Sequence, residues 1–171
     1  MRLVGYTLRL LELERASVGA LCAALGVAPP PDWPPPLFDA GALAWFIAQL
    51  RADPAVAPWL GNYVVADIAS VETLVGSAGF KGPPDADGNV EIGYSIVDAF
   101  QRRGFGRQAV GLLLDRARNT MGVRCVRAET TRDAVASRGL LAACGFRYAG
   151  ERPDADDGEL ALYALDLAAG R

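Results

Sequence analysis

The chain of 171 residues contains no histidine. Histidine titrates near neutral pH and is the commonest metal ligand, so its absence removes Ser-His-Asp hydrolases, Cys-His proteases and most zinc enzymes. Cysteine is scarce: Cys22, Cys125 and Cys144 are widely spaced among apolar residues. An odd number without Cys-x-x-Cys spacing reads as free thiols, not as a disulfide framework or a zinc site, and no metal is expected. Lysine is reduced to Lys81 alone, beside sixteen Arg. Long apolar runs are missing too. None reaches the roughly 18–20 residues of a membrane span, so no membrane partner is expected. The N-terminal stretch soon meets Glu12, Glu14 and Arg15 and does not read as a signal peptide, which points to a cytoplasmic location. A net charge of −3 argues against nucleic acid as a partner, because phosphate backbones reward a basic face.

Hydrophobic residues make up 51% and charged residues 22%, the balance of a soluble globular chain whose length suits one domain over residues 1–171. Residues 6–10 alternate weakly and read as a first strand. A helix is expected over 12–25, with Leu13, Val18, Leu21, Cys22 and Leu25 at helical spacing and Gly26 as its stop. The run Pro-Pro-Pro-Asp-Trp-Pro-Pro-Pro at 29–36 excludes regular structure and reads as a stiff loop over one face of the domain. Asp39 is placed to cap a second helix through about residue 51, carrying Leu43, Phe46, Ile47 and Leu50 on one face. Strands are expected over 62–69, 72–80 and 89–97, with the turn-rich connector 82–88 between the last two. A helix to about residue 120 follows, with Ala109, Leu112, Leu113 and Ala117 inward and Gly122 beyond it. A strand over 123–130, a helix over 133–144 closed by Gly145, and a hairpin of 146–150 with 160–167 complete the order. The fold class is α/β (α+β): a mixed, mostly antiparallel central sheet of about 6–7 strands flanked by about 4 helices.

The most informative stretch is 89–106. An apolar strand ends in a basic, glycine-spaced turn, and an amphipathic helix follows at once. Such a turn aims free backbone N–H groups at one spot, and the helix dipole favours an anion there. Gly104 and Gly106 allow close backbone approach, while Arg102, Arg103 and Arg107 add positive charge. A phosphate or pyrophosphate is the natural guest; an ordinary βα turn with solvated arginines is the alternative.

The segment Gln101-Arg102-Arg103-Gly104-Phe105-Gly106 resembles the pyrophosphate signature of the GNAT superfamily of N-acetyltransferases: Arg or Gln, two residues, Gly, one residue, then Gly or Ala. The strand before it, the helix after it and the element order fit that family from about residue 3 to 167. Glu91-Ile92-Gly93-Tyr94, and Ser137 eight residues before Gly145-Phe146, are similar to the branch that holds ribosomal-protein alanine N-acetyltransferases. Ala134 stands where that branch has Asn, which puts one cofactor contact in doubt or passes it to Asp133 or Thr131. Asp98 stands where many members have Pro.

The resemblance implies the acyl-CoA N-acyltransferase fold, with acetyl-CoA as cosubstrate. Backbone groups from Gln101, Arg102, Arg103, Gly104, Phe105, Gly106 and Arg107 would cradle its pyrophosphate. Main-chain groups of Tyr94, Ser95 and Ile96 would pair with its pantetheine amides in a gap beside the central strand, and Gly93 fits a bulge or a close backbone approach.

Acetyl transfer to an amine needs a neutral nitrogen, a stabilised carbonyl oxygen and a protonated leaving thiolate. Glu91 is the candidate general base; the alternative is an ion pair with Arg124 or Arg127 on a neighbouring strand. Ser137 is the candidate proton donor to the thiolate, as the resemblance implies; it is otherwise a packing or cofactor-binding hydroxyl. Many members place a Tyr four residues before the Gly of Gly-Phe, and here that position is Leu141. An amine arrives as a cation, so the acidic run Asp154, Asp156, Asp157 and Glu159 either recruits it or forms a solvated turn. Trp33 either lines the acceptor pocket or anchors its loop. The acceptor is an amine-bearing small molecule or a protein N-terminus, and the chain is a monomer or homodimer. The competing function is an acyl-CoA-binding sensor that has lost catalysis, which Ala134 keeps open.

Overall fold

The computed structural model describes residues 1–155 and 158–167. Strand β1 (Arg2–Gly5) comes first. Thr7 then caps helix α1 (Leu8–Ala16), its hydroxyl accepting from Leu10 N–H at 3.2 Å. The strand expected over 6–10 is thereby corrected: weak alternation yields to a Thr cap followed by Leu, Arg and Glu, which favour helix. The one helix expected over 12–25 is corrected to two. Ser17 is extended (φ −170°, ψ 148°), its hydroxyl accepts from Ala20 N–H at 3.1 Å, and it starts helix α2 (Val18–Leu25). Helix α3 (Ala40–Ala52) begins as expected, with Asp39 accepting from Ala42 N–H at 2.8 Å.

The proline-rich loop between α2 and α3 is tied down at its start and at its centre. Ala28 N–H donates to Glu72 O at 2.8 Å and Ala28 O accepts from Leu74 N–H at 3.1 Å. Trp33 Nε1 donates to Glu14 Oε1 at 2.8 Å, so the indole anchors the loop.

After a 3-10 turn (Pro54–Trp59) come strands β2 (Gly61–Ile68), β3 (Val71–Phe80) and β4 (Asn89–Ile96). Helix α4 (Phe105–Arg118), strand β5 (Cys125–Thr131), helix α5 (Val135–Ala143) and strands β6 (Arg147–Asp154) and β7 (Gly158–Asp166) follow. The seven strands form one sheet in the order β1-β2-β3-β4-β5-β7-β6. Only the β4–β5 junction is parallel. Five α-helices appear among the described residues instead of about four, because of the break at Ser17.

Alternation along β2 and β3 sends side chains to two cores. Tyr63 and Leu74 join Leu11, Leu21, Ile47 and Leu50 under α1–α3. Val64 and Val75 join Ile92, Val110, Leu113 and Leu141 under α4 and α5. On α4 the inward stripe is Ala109, Val110, Leu113, Leu114 and Ala117. Leu112, expected inward, is 38% exposed, since it falls between successive turns of that stripe.

Two close contacts fix this frame. An added Cβ on Gly79 would lie 2.3 Å from Gly61 Cα and 2.5 Å from Leu60 O. Those are backbone atoms that only a local separation of β2 from β3 can move. Gly79→Ala is expected to destabilise the fold by about 1–3 kcal/mol, read as a lower urea midpoint. The second contact is buried Glu14, which also accepts from Tyr63 Oη at 2.7 Å. Burial pushes its carboxyl above the usual range, against the opposing effect of the Tyr63 and Trp33 hydrogen bonds. A raised folded-state pKa makes stability greatest below the unfolded value, and it is lost as pH rises through the raised one. Wild type should therefore lose stability relative to Glu14→Gln as pH rises from the ordinary Glu range toward neutrality. Thermal midpoints of the two chains that run parallel across that range would contradict this.

Candidate functional site

Strands β4 and β5 pair from Asn89↔Cys125 to Ile92↔Ala128 and no further. Beyond that point β4 stays on β3 through Gly76↔Ile96, while β5 stays on β7 through Thr131↔Leu160. The two strands part into a gap. Because Lys81 N–H donates to Glu91 O at 2.9 Å and Val97 N–H to Val75 O at 3.0 Å, antiparallel alternation turns the main chain of 91, 93, 95 and 97 toward β3. The main chain of Tyr94 and Ile96 then faces the gap. Ser95 departs from the expectation: its main chain belongs to the β3 ladder, and its hydroxyl donates to Pro36 O of the proline loop. Gly93 marks no bulge, since the register runs unbroken from Phe80↔Ile92 to Gly76↔Ile96.

At the open end of the gap stands the basic turn. Gln108 N–H donates to Gly104 O at 3.1 Å; among the described residues, the N–H groups of 102–107 have no backbone acceptor. Gly104 sits at φ 84° and Arg102 at φ 57°, left-handed for both. Such a conformation is uncommon for a bulky residue and occurs at ligand clamps. Arg103 lies over the rings of Phe100 and Phe105, 5.7 and 5.6 Å from their centroids, and Arg107 is exposed. Gln101 is bound into the turn itself: its Nε2 donates to Ile96 O at 3.0 Å and to Asp98 Oδ1 at 2.7 Å. The unpartnered N–H groups, the helix start and the arginines fit an anionic ligand such as a pyrophosphate.

Glu91 and Ser137 lie on opposite sides of β4. Val90, Ile92 and Ile96 join the core under α4 with Tyr94 packed against it, so Glu91 points to the other face. Its Oε1 is buried and meets the Lys81 ammonium as an ion pair rather than an aligned hydrogen bond. An ion pair to a neighbouring strand was one expectation, but its partner is Lys81, not Arg124 or Arg127. On the α4 side, Tyr94 Oη and Ser137 Oγ are hydrogen-bonded at 2.9 Å, and either can donate. Burial pushes the Tyr94 phenol up, partly offset by that bond. Ala134 precedes α5 without a side-chain cap.

Other charged groups share the Glu91 face. Glu129 of β5 accepts from Arg152 Nη2 at 2.6 Å; that bond holds its carboxyl below the usual range, with a further contribution from Lys81. Asp154 pairs with Arg152 at 3.0 Å on this face, whereas Glu159, which alternation along β7 puts on the α4 side with Ala161 and Tyr163, pairs with Arg132 at 2.9 Å; Asp156 and Asp157 lie outside the described residues. Sequence reading overlooked Lys81 and Glu129 as site residues. Placing Lys81 requires the β3–β4 register, which one step past Phe80↔Ile92 puts it opposite Glu91.

Among the described residues no group of three or more His, Cys, Asp or Glu is arranged to hold a metal ion, and no helix is long and apolar enough to cross a membrane. No curated protein matches the chain in sequence. In three dimensions it is similar to the microcin C7 self-immunity acetyltransferase MccE, solved with acetyl-CoA and AMP. That match has 17% identity and a TM-score of 0.65, covering 96% of this chain and 91% of the other. A variant of the spermidine N-acetyltransferase SpeG from Vibrio cholerae matches at 14% identity and TM-score 0.66, over 98% and 96%. The ribosomal-protein α-N-acetyltransferase RimL, solved with coenzyme A, matches at 16% and 0.65, over 96% and 92%. At these identities the likeness is one of fold. A family model described as the acetyltransferase (GNAT) domain matches residues 7–147, from α1 through the parted strands and the basic turn, and the chain belongs to that family.

Proposed function

We propose that the chain transfers an acetyl group from acetyl-CoA directly to a primary amine. The observation that carries this reading is the gap between β4 and β5, with a carboxylate on one face, a hydroxyl pair on the other and an anion-binding turn at its open end. The free N–H groups of 102–107, with Arg102, Arg103 and Arg107, hold the pyrophosphate. Main-chain groups of Tyr94 and Ile96 receive the pantetheine amides. Bound acetyl-CoA supplies an activated acyl carbon and a thiolate leaving group. Glu91 takes the proton that the acceptor nitrogen gives up, directly or through a water. Across the strand, the Tyr94–Ser137 hydroxyl pair supplies a proton to the sulfur. Two protons are thus handled on two faces, and histidine is not needed.

The acceptor is an amine-bearing small molecule or a protein N-terminus. Relatives of this fold that act on spermidine and on ribosomal-protein N-termini support an amine in either setting. The carboxylates of Glu91 and Glu129 on one face suit a cationic acceptor. Three free cysteines and use of acetyl-CoA accord with a cytoplasmic protein.

The test is thiol release from acetyl-CoA with a panel containing spermidine and an alanine-initiated peptide. Glu91→Gln should lower turnover by on the order of 10²-fold, most severely at lower pH where neutral amine is scarce. Ser137→Ala should lower kcat more than it raises KM for acetyl-CoA. If both variants turn over like wild type, positioning alone drives the reaction and neither residue carries chemistry. Tight acetyl-CoA binding with no turnover on any amine would instead favour the acyl-CoA sensor that the engaged Glu91 and the uncapped Ala134 favour.

A further inference from the structure

Lys81 is the only lysine of the chain, and its ammonium meets the carboxylate that the proposed function assigns as base. Its backbone is fixed there, since Lys81 N–H donates to Glu91 O at 2.9 Å. Its stem runs along β4: a Cβ built on Gly93 would lie 3.7 Å from Lys81 Cε. Gly93 is the first β4 residue beyond the last rung with β5, so the amine sits at the mouth of the gap. Across that mouth, Glu129 feels the lysine charge. The side chain is 52% exposed, and an ion pair this open to water contributes little to stability. What the arrangement does supply is a primary amine, tethered beside a base where an acceptor has to arrive.

We propose that Lys81 is itself an acetyl acceptor, modified by its own chain when no other amine fills this face. The inference rests on the reading of Glu91 and the gap as the transfer site. Glu91 removes one proton from the Lys81 ammonium, and the neutral Nζ attacks the thioester carbonyl of acetyl-CoA. A C–N bond forms as the C–S bond breaks. Of the two protons the ammonium loses, one leaves through Glu91 to solvent and the other balances the departing sulfur as a thiol. The products are N-acetyl-lysine and coenzyme A, and Glu91 is released from its ion pair. Tethering removes the requirement for acceptor binding, because a held amine has a high effective concentration.

The experiment is incubation of the full chain with acetyl-CoA and no added amine, read by intact mass and then by peptide mapping. The mapping separates Lys81 from the N-terminal amine. One acetyl group at Lys81 is expected, with one thiol released per chain, on the order of a hundredfold faster than in Glu91→Gln or in urea-unfolded chain. Lys81→Arg should take up no acetyl group at this position. Acetylation of Lys81 at the same rate in the unfolded chain or in Glu91→Gln would be plain solution chemistry and would overturn the inference. Amine turnover that depends on Glu91 while Lys81 stays unmodified would also overturn it and leave the proposed function standing. An unmodified Lys81 together with no turnover on the amine panel would overturn both.

Discussion

The parting of β4 from β5 is the constraint on which the rest of this molecule depends. Two parallel strands normally continue to pair until one of them ends, because an unpaired buried backbone group is expensive. Here each strand keeps its outer partner while releasing the inner one: β4 stays on β3 and β5 on β7. The inner edges therefore present amide and carbonyl groups inside the sheet rather than at its rim. Tyr94 reinforces the opening, since its ring packs into the α4-side core while its hydroxyl reaches α5. A ligand with amides spaced along an extended chain can satisfy those groups as a strand would.

From that opening the distribution of charge follows. The turn after β4 faces outward with helix-dipole and guanidinium charge, which suits the anionic end of a ligand. Toward the other end, where β4 and β5 close, the face opposite α4 carries Glu91 and Glu129, each with a cationic neighbour. The proposed function puts the anionic tail of the donor at one end and a cationic acceptor at the other, with the gap between them. On that reading an acyl donor with a phosphorylated tail and an amine acceptor come in by different entrances.

Much of this was legible in the sequence where the signal is local. The basic turn could be read because its chemistry lies in six consecutive residues, Gln101 to Gly106, and the flanking strand and helix have strong periodicity. The Pro-rich loop was equally plain, since proline excludes regular structure. What was missed is non-local or depends on a single cap. Tyr94 and Ser137 are 43 residues apart, and no spacing rule announces that their hydroxyls meet. The Lys81–Glu91 pair depends on the register across a seven-residue connector. At the N-terminus one threonine outweighed an alternating pattern, and one serine divided a helix whose residues on either side favour helix equally. Such positions are decided by a single hydroxyl finding a backbone N–H.

The attachment of Ala28 to β3 has a further consequence. β4 covers the inner edge of β3 only from about Val75 onward, and the first residues of β3 extend past its end. Glu72 O and Leu74 N–H on that stretch would otherwise form an open strand edge beside a hydrophobic core. Ala28 occupies both groups with its own N–H and carbonyl, closing the template on which a second chain could add a strand. The proline run begins directly after it, at Pro29, and proline cannot donate to a ladder, so the added strand stops after a single residue. The loop that borders the proposed acceptor face thus also removes one stretch of open strand edge at which a second chain could pair.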